Sequence, residues 1–288
     1  MADWPKPLNP PPTADAHRIE TDRALLTKGE ESLNCKALTI LYQDEHGLLA
    51  IDKPAGRYCE AILEQLIRER PDDDIIMAHR LDRDTSGVML FTTNPTATKA
   101  VGRTFESGAV HKLYYACCAG PSPPWAQTTL STGHGRSKHG LWRVYGAEDV
   151  GAKLPGGSKV RGMNTELTVV KEVPFCHLHA CDVWLEKSIL SGASEMTEEQ
   201  AAGICHDSQA LIVLARPATG RTHQIRLHCA HAGLPLLGDV RYGGPWAQGK
   251  RQFLGHLLHS HRLWFTHPFS NAPLEIVSPP PKWTGTID

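Results

Sequence analysis

His79-Arg80-Leu81-Asp82-Arg83-Asp84-Thr85-Ser86-Gly87-Val88-Met89-Leu90-Phe91 is the stretch on which the reading of the fold turns. A charged, turn-rich half runs straight into an apolar half, which predicts a loop feeding a buried strand. A loop anchored in this way can hold a reactive carboxylate still. Two carboxylates, Asp82 and Asp84, stand two residues apart among His79, Arg80 and Arg83. Taken alone, such a segment reads equally well as a surface turn with paired charges, so complementary chemistry elsewhere in the chain has to decide.

On the N-terminal side, Leu38 to Tyr42 and Leu48 to Ile51 flank Asp44-Glu45-His46-Gly47, the pattern of a hairpin. Residues 59–70 place Ile62, Leu63, Leu66 and Ile67 on one helical face, and Pro71 stops that helix. On the C-terminal side, residues 95–107 predict a second helix closed by Gly108, and His111 to Ala119 a strand. Strands are also expected at Thr165 to Val173, Cys176 to Leu185, Ala210 to Arg216, Leu257 to Phe265 and Leu274 to Val277. Thr219 to His228 is a turn that opens a helix ending near Gly233. Residues 131–163 read as a mobile, partly basic excursion with a short strand at Leu141 to Tyr145, and 187–207 as a polar, partly helical insertion. Residues 1–35, rich in Pro and then in charge, read as an arm preceding one domain over 36–288. Hairpins, few helices and long insertions argue for an α+β fold, a mixed, mainly antiparallel sheet with peripheral helices.

The 288 residues suffice for a substantial core, and 41% hydrophobic with 21% charged residues is ordinary for a soluble protein. A formal net charge of −1 provides no global attraction for polyanions, so a nucleic acid would have to be held by a local cationic cleft. Eight irregularly spaced cysteines suggest free thiols in a reducing compartment. With no signal-peptide core at the N-terminus and no run long enough to span a bilayer, a cytoplasmic location is expected.

Three groupings carry chemistry. Asp82-Arg83-Asp84-Thr85 has the spacing of an aspartate-nucleophile phosphatase, but the apolar strand follows the first Asp instead of preceding it. Cys176-His177-Leu178-His179-Ala180-Cys181 could supply zinc ligands, yet no C-x-x-C pair occurs, and a half-buried strand explains the alternation without a metal. Arg216, Arg221, His223, Arg226, His228 and Arg241 make the better cluster. An Arg buried on that helix needs a carboxylate, for which Asp82 is the conspicuous candidate, unless the helix is simply a basic surface. Lys112-Leu113-Tyr114-Tyr115 places one aromatic ring on each side of a strand, so one of them could line a cleft and stack on an unpaired base.

His-Arg-Leu-Asp-x-x-Thr-Ser-Gly at 79–87, Lys-x-Tyr-x-Ala at 112–116 and Gly-Arg-Thr-His-Gln-Ile-Arg-x-His at 220–228 together resemble the RluA-type pseudouridine synthases. The flanking Ala50 to Gly56, Gly233 to Gly243 and Leu258 to Pro268 segments extend the resemblance over roughly residues 36–282. It implies a curved sheet crossed by an RNA cleft, and isomerisation of uridine to pseudouridine without cofactor or metal. It also implies Asp82 as the catalytic carboxylate, Tyr114 as the active-site tyrosine and Arg226 as the ion-pair partner of Asp82. His79, Arg80, Lys112, Arg221 and His223 are the expected RNA contacts, tRNA or rRNA the expected partner, and a monomer the expected state. Asp84 falls at a variable position and receives no role. A non-catalytic RNA-binding protein on the same fold is the alternative. Residues 1–35 are too short for the small N-terminal RNA-binding module of many relatives, and the usual His-Pro pair after the Lys-Pro-Ala-Gly turn is missing.

Overall fold

The computed structural model describes residues 4–10, 37–137, 141–175, 178, 181, 184–186, 209–248 and 251–285. The described chain forms two compact units. One comprises Thr21–Tyr115 and Leu258–Lys282 and carries Asp82; the other comprises Met1–Glu20, Ala116–Leu257 and Trp283–Asp288 and carries Arg226.

In the Asp82 unit, β1 (Thr39–Gln43) and β2 (Leu48–Lys53) form the expected antiparallel hairpin. Asp44 makes its turn, accepting from the backbone N–H of His46 and of Leu48, both at 3.0 Å. β2 pairs antiparallel with β4 (Ser86–Thr92), the apolar half of the opening stretch, in a register that ends with Lys53 opposite Gly87. β3 (Ile76–Met77) covers the far end of β4. At the near end, β13 (Leu258–Thr266) runs parallel to it, with His259 opposite Ser86 and Ser260 opposite Gly87. β14 (Pro273–Val277) and the part of β5 (His111–Cys118) up to Tyr115 also lie beside β13.

Helices cover both faces of this sheet, which explains why β2 and β4 read as unbroken apolar runs and not as alternating ones. Leu48, Ala50, Val88 and Leu90 pack with Leu263, Phe265 and the Ala97 and Val101 face of α2 (Pro95–Glu106). Leu49, Ile51, Met89 and Phe91 pack on α1 (Cys59–Glu69) through Cys59, Ile62 and Leu66. Ile67, expected on the buried face of α1, is exposed; Cys59 and Gln65 are buried instead. Asn94 caps α2 by accepting from the Ala97 N–H at 2.8 Å, and Pro95 begins the helix where no backbone donor is missed.

In the Arg226 unit, β10 (Gln209–Pro217), β8 (Arg161–Pro174), β6 (Gln127–Arg136) and β7 (Trp142–Tyr145) follow one another as antiparallel neighbours. α3 (Gln224–His231) packs Leu227 with Val144, Met163 and Tyr242. A separate small antiparallel sheet joins β9 (Trp184–Glu186), β11 (Ala247–Gln248) and β12 (Arg251–Phe253). The stretch read as a mobile excursion over 131–163 thus contains the end of β6, all of β7 and the start of β8. A tight loop bridged at Lys153 and Lys159 joins the last two. The described part of the arm is fastened to β7: the Leu8 N–H donates to the Val144 carbonyl at 2.8 Å, and Asn9 receives both Arg143 Nε and the Val144 N–H. The rest of the arm, the 187–207 insertion and most of the Cys176 to Leu185 stretch with its Cys/His cluster lie outside the described residues; within that stretch Leu178 is helical where a strand is expected, and the strand begins only at Trp184.

Candidate active site

The loop that presents Asp82 is built around a buried lysine. Lys53, at 0% exposure, donates from Nζ to the carbonyls of Pro54 (2.9 Å), Arg83 (2.7 Å) and Thr85 (2.9 Å). An ammonium has three N–H donors, and all three are used. The turn closes with the Thr85 N–H donating to the Asp82 carbonyl at 3.1 Å. On the other side of Asp82, the Cys59 thiol donates to the Leu81 carbonyl at 3.0 Å. Asp82 itself is half-buried.

Asp84 is taken by its neighbour: Arg83 forks onto it, Nε to Oδ1 at 2.6 Å and Nη2 to Oδ2 at 3.0 Å. That geometry leaves the D-x-D spacing no phosphatase meaning. Gly87 ends the loop at φ 101°, where any Cβ would sit 2.2 Å from the Ser260 carbonyl oxygen, so both the backbone angle and the closeness of β13 demand glycine.

His79 anchors the loop rather than facing outward. Its Nε2 accepts the Leu90 N–H at 3.1 Å, and its ring stacks on Phe105 with centroids 5.5 Å apart. Burial, reinforced by the charge of Lys112, holds its pKa down at about 4, so the imidazole is neutral at physiological pH, as an acceptor must be. Lys112 is half-buried, and desolvation lowers its pKa as well. Arg80 points into solvent, with Glu60 3.6 Å away across an exposed pair of little energetic weight, which leaves it available to a phosphate. Tyr114, on β5, is buried; burial raises its phenol to about 12, with the Asp82 charge adding to the rise and Ser260 opposing it. That interaction places the phenol in the field of the Asp82 carboxylate.

In the other unit, Arg226 on α3 is 4% exposed and forks onto Asp239, Nε to Oδ2 at 2.7 Å and Nη2 to Oδ1 at 2.9 Å. Its guanidinium also lies over the Tyr242 ring, 5.1 Å from the centroid. Burial would raise the Asp239 pKa, but Arg226 outweighs it and holds the carboxylate ionised. The helix begins one residue after His223, which sits at φ 57° with Nδ1 2.7 Å from the Tyr242 hydroxyl. Arg221 donates from Nε to the Gly162 carbonyl at 3.1 Å. Two expected RNA contacts, His223 and Arg221, therefore have partners inside the protein.

A family model for RNA pseudouridylate synthase matches residues 47–231, a span that contains Asp82, Tyr114 and Arg226. The chain belongs to this family. RNA pseudouridine synthase 1 of Arabidopsis thaliana is 41% identical over 285 residues, covering 98% of this chain and 87% of its own length. tRNA pseudouridine synthase C of Salmonella typhimurium is 29% identical over 254 residues, covering 83% and 84%. Among solved structures, human RNA pseudouridylate synthase domain containing 1 superposes with a TM-score of 0.60 at 23% identity, covering 86% of this chain and 85% of its own, a likeness of fold. As a pseudouridine synthase the protein is an isomerase that converts uridine in RNA to pseudouridine.

Two buried charged residues, Lys53 and Asp239, stand outside the candidates that the sequence suggests. For Lys53 the signal is a lysine that ends a strand whose apolar run, Leu48 to Ile51, stops just two residues before it. For Asp239 the signal is the arginine itself, since a buried Arg226 requires a carboxylate and Asp239 is buried in the same unit.

Proposed function

We propose that Asp82 is the carboxylate through which this synthase works, that Tyr114 attends the uracil ring, and that Arg226 serves as the cation for Asp82, as the motif resemblance implies. The observation that carries the reading is the immobilised Asp82 backbone, gripped on one side through Lys53 and on the other through Cys59, with the charge of the carboxylate felt at the buried Tyr114 phenol. The reaction must break the N1–C1′ bond, turn the uracil without losing it, and join C5 to C1′. Whether the carboxylate attacks C1′ or removes the 2′ proton to give a glycal, it has to be ionised and fixed in place. The departing uracil carries negative charge, which nearby cationic and hydrogen-bonding groups stabilise. Proton loss from C5 then completes the isomerisation, and a tyrosine against the base is suited to that transfer.

The substrate we infer is a structured RNA, tRNA or rRNA, with the relative named for tRNA as support. A uridine held in a stem must be flipped out first, at a cost of a few kcal/mol. Arg80 and Lys112 are the contacts we assign to the backbone around it. Asp82→Asn should keep RNA binding and lose pseudouridine formation by at least about a thousandfold. The check is a map of pseudouridine in total tRNA and rRNA from cells lacking the protein, complemented with wild type or variant. An Asp82→Asn protein that restores the wild-type pattern would end the assignment, and the wild-type map itself names the RNA.

A further inference from the structure

Ser260 occupies a position that the reading above does not use. It lies on β13 opposite Gly87, and its carbonyl oxygen fills the space where a side chain at Gly87 would stand. Its backbone therefore abuts the end of the Asp82 loop. Its neighbours on the strand turn to the other face: His259 Nδ1 is 2.9 Å from Ser86 Oγ, and the His261 ring meets Tyr115 at 4.8 Å between centroids. Strand alternation therefore puts Ser260 on the side of Tyr114, because Tyr114 and Tyr115 also face opposite ways. The serine is 1% exposed, and its Oγ has no hydrogen-bond partner among the described residues.

A buried hydroxyl without a partner is costly, and a site that retains one calls for an explanation. Alanine would fit the same space without that cost. The group with which Ser260 interacts is the Tyr114 phenol, and it does so in the direction that favours the ionised form, opposite to the effect of Asp82. Catalytic hydrogen bonds are commonly long in a free enzyme and tighten around the substrate.

We propose that Ser260 is a positioning residue for Tyr114, its hydroxyl donating to the phenol oxygen when RNA is bound and fixing the orientation in which that oxygen meets the base. Two groups then bracket one tyrosine: Asp82 favours the neutral phenol, and Ser260 favours the form that accepts a proton. The inference rests on Tyr114 serving the reaction, and the experiment separates the two.

Single-turnover pseudouridine formation is followed on total RNA from cells lacking the protein, at the uridine that wild type modifies. Ser260→Ala should slow the step about tenfold with RNA affinity unchanged. The limb of the pH profile that depends on Tyr114 should move to higher pH, since the group easing its ionisation is gone. Ser260→Cys, with similar volume and a weaker donor, should fall between the two. A packing role would not move the pH limb or grade the rate by donor strength. Ser260→Ala at the wild-type rate and pH profile, with Tyr114→Phe inactive, overturns the role of Ser260 alone. Tyr114→Phe at full rate overturns the reading of Tyr114 and this inference with it. Should the alanine variant fail to fold by circular dichroism, a cysteine variant at the wild-type rate and pH profile overturns the proposal equally.

Discussion

Around Asp82 a single ammonium is shared among three loop carbonyls, whereas around Arg226 a helix supplies its own backbone bonds and the polar interior is made of side chains. The Gln224 amide on that helix uses all its capacity. Its nitrogen donates to the Asn164 carbonyl and Thr165 Oγ1, and its oxygen receives the Thr219 hydroxyl and the Arg221 N–H. His228 stands between Thr132 and Thr165 with both ring nitrogens engaged, at 2.9 and 2.8 Å. The difference follows from backbone accounting. A loop buried at its turn leaves carbonyls that a donor-rich side chain can satisfy, and a helix bonds much of its own backbone and leaves such groups at its ends. A loop so held depends on one protonation state of one residue; the helix depends on a neutral network and on the Arg226–Asp239 ion pair.

The ion pair is the place to break the second arrangement. Asp239→Ala leaves the Nε edge of a 4%-exposed guanidinium without its carboxylate, and should cost about 3–5 kcal/mol of stability by urea denaturation. A loss under about 1 kcal/mol would mean that the fork on Asp239 is not what sustains α3. Lys53→Met attacks the first arrangement. It removes the ammonium donor from the Pro54, Arg83 and Thr85 carbonyls while preserving the apolar stem, for an expected cost of roughly 2–4 kcal/mol. Pseudouridine formation should fall more steeply than stability, because the loop carries the carboxylate. Lys53→Arg should not rescue it, since a planar fork cannot replace a compact three-way donor.

The sequence exposes these two regions unequally, and for a physical reason. The apolar run after Asp82, the hairpin at 38–51 and the helix after Asn94 are local patterns, and each forms where its own residues favour it. Asp82 and Tyr114 stand inside recognisable motifs. Ile67 shows the limit of periodicity: an apolar residue at helical spacing is exposed while Gln65 is buried against Arg57 and Glu69. The β6 strand was hidden by Gly133 and Gly135, residues that disfavour a strand on propensity alone. They are needed because Val160 and Leu154 leave no room for a Cβ. Lys53 and Asp239 were hidden because their meaning lies in partners far along the chain or around a turn, which spacing does not reveal.

The smallest expected effect separates the two regions most cleanly. Burial pushes the Lys53 ammonium down to about 8, against the opposing charges of Cys59, Asp84 and Asp82. Above that pH the side chain is an amine with two N–H groups facing three carbonyls, so one hydrogen bond of the loop is lost. The rate of pseudouridine formation should therefore decline with a midpoint near pH 8, by a fewfold and not to zero. Stability should move the other way. An unfolded chain holds this proton until about the ordinary value of 10.5, so between 8 and 10.5 the unfolded state binds more protons than the fold, and this one group makes stability rise with pH. Asp239 has its pKa held below the ordinary 3.8, so the stability it contributes is present above that value and is lost only in acid. Raising the pH from 7 to 9 should consequently slow the enzyme while its melting temperature holds or climbs. A melting temperature that fell in step with the rate would show that the whole fold, and not the loop gripped by Lys53, responds to the lost proton.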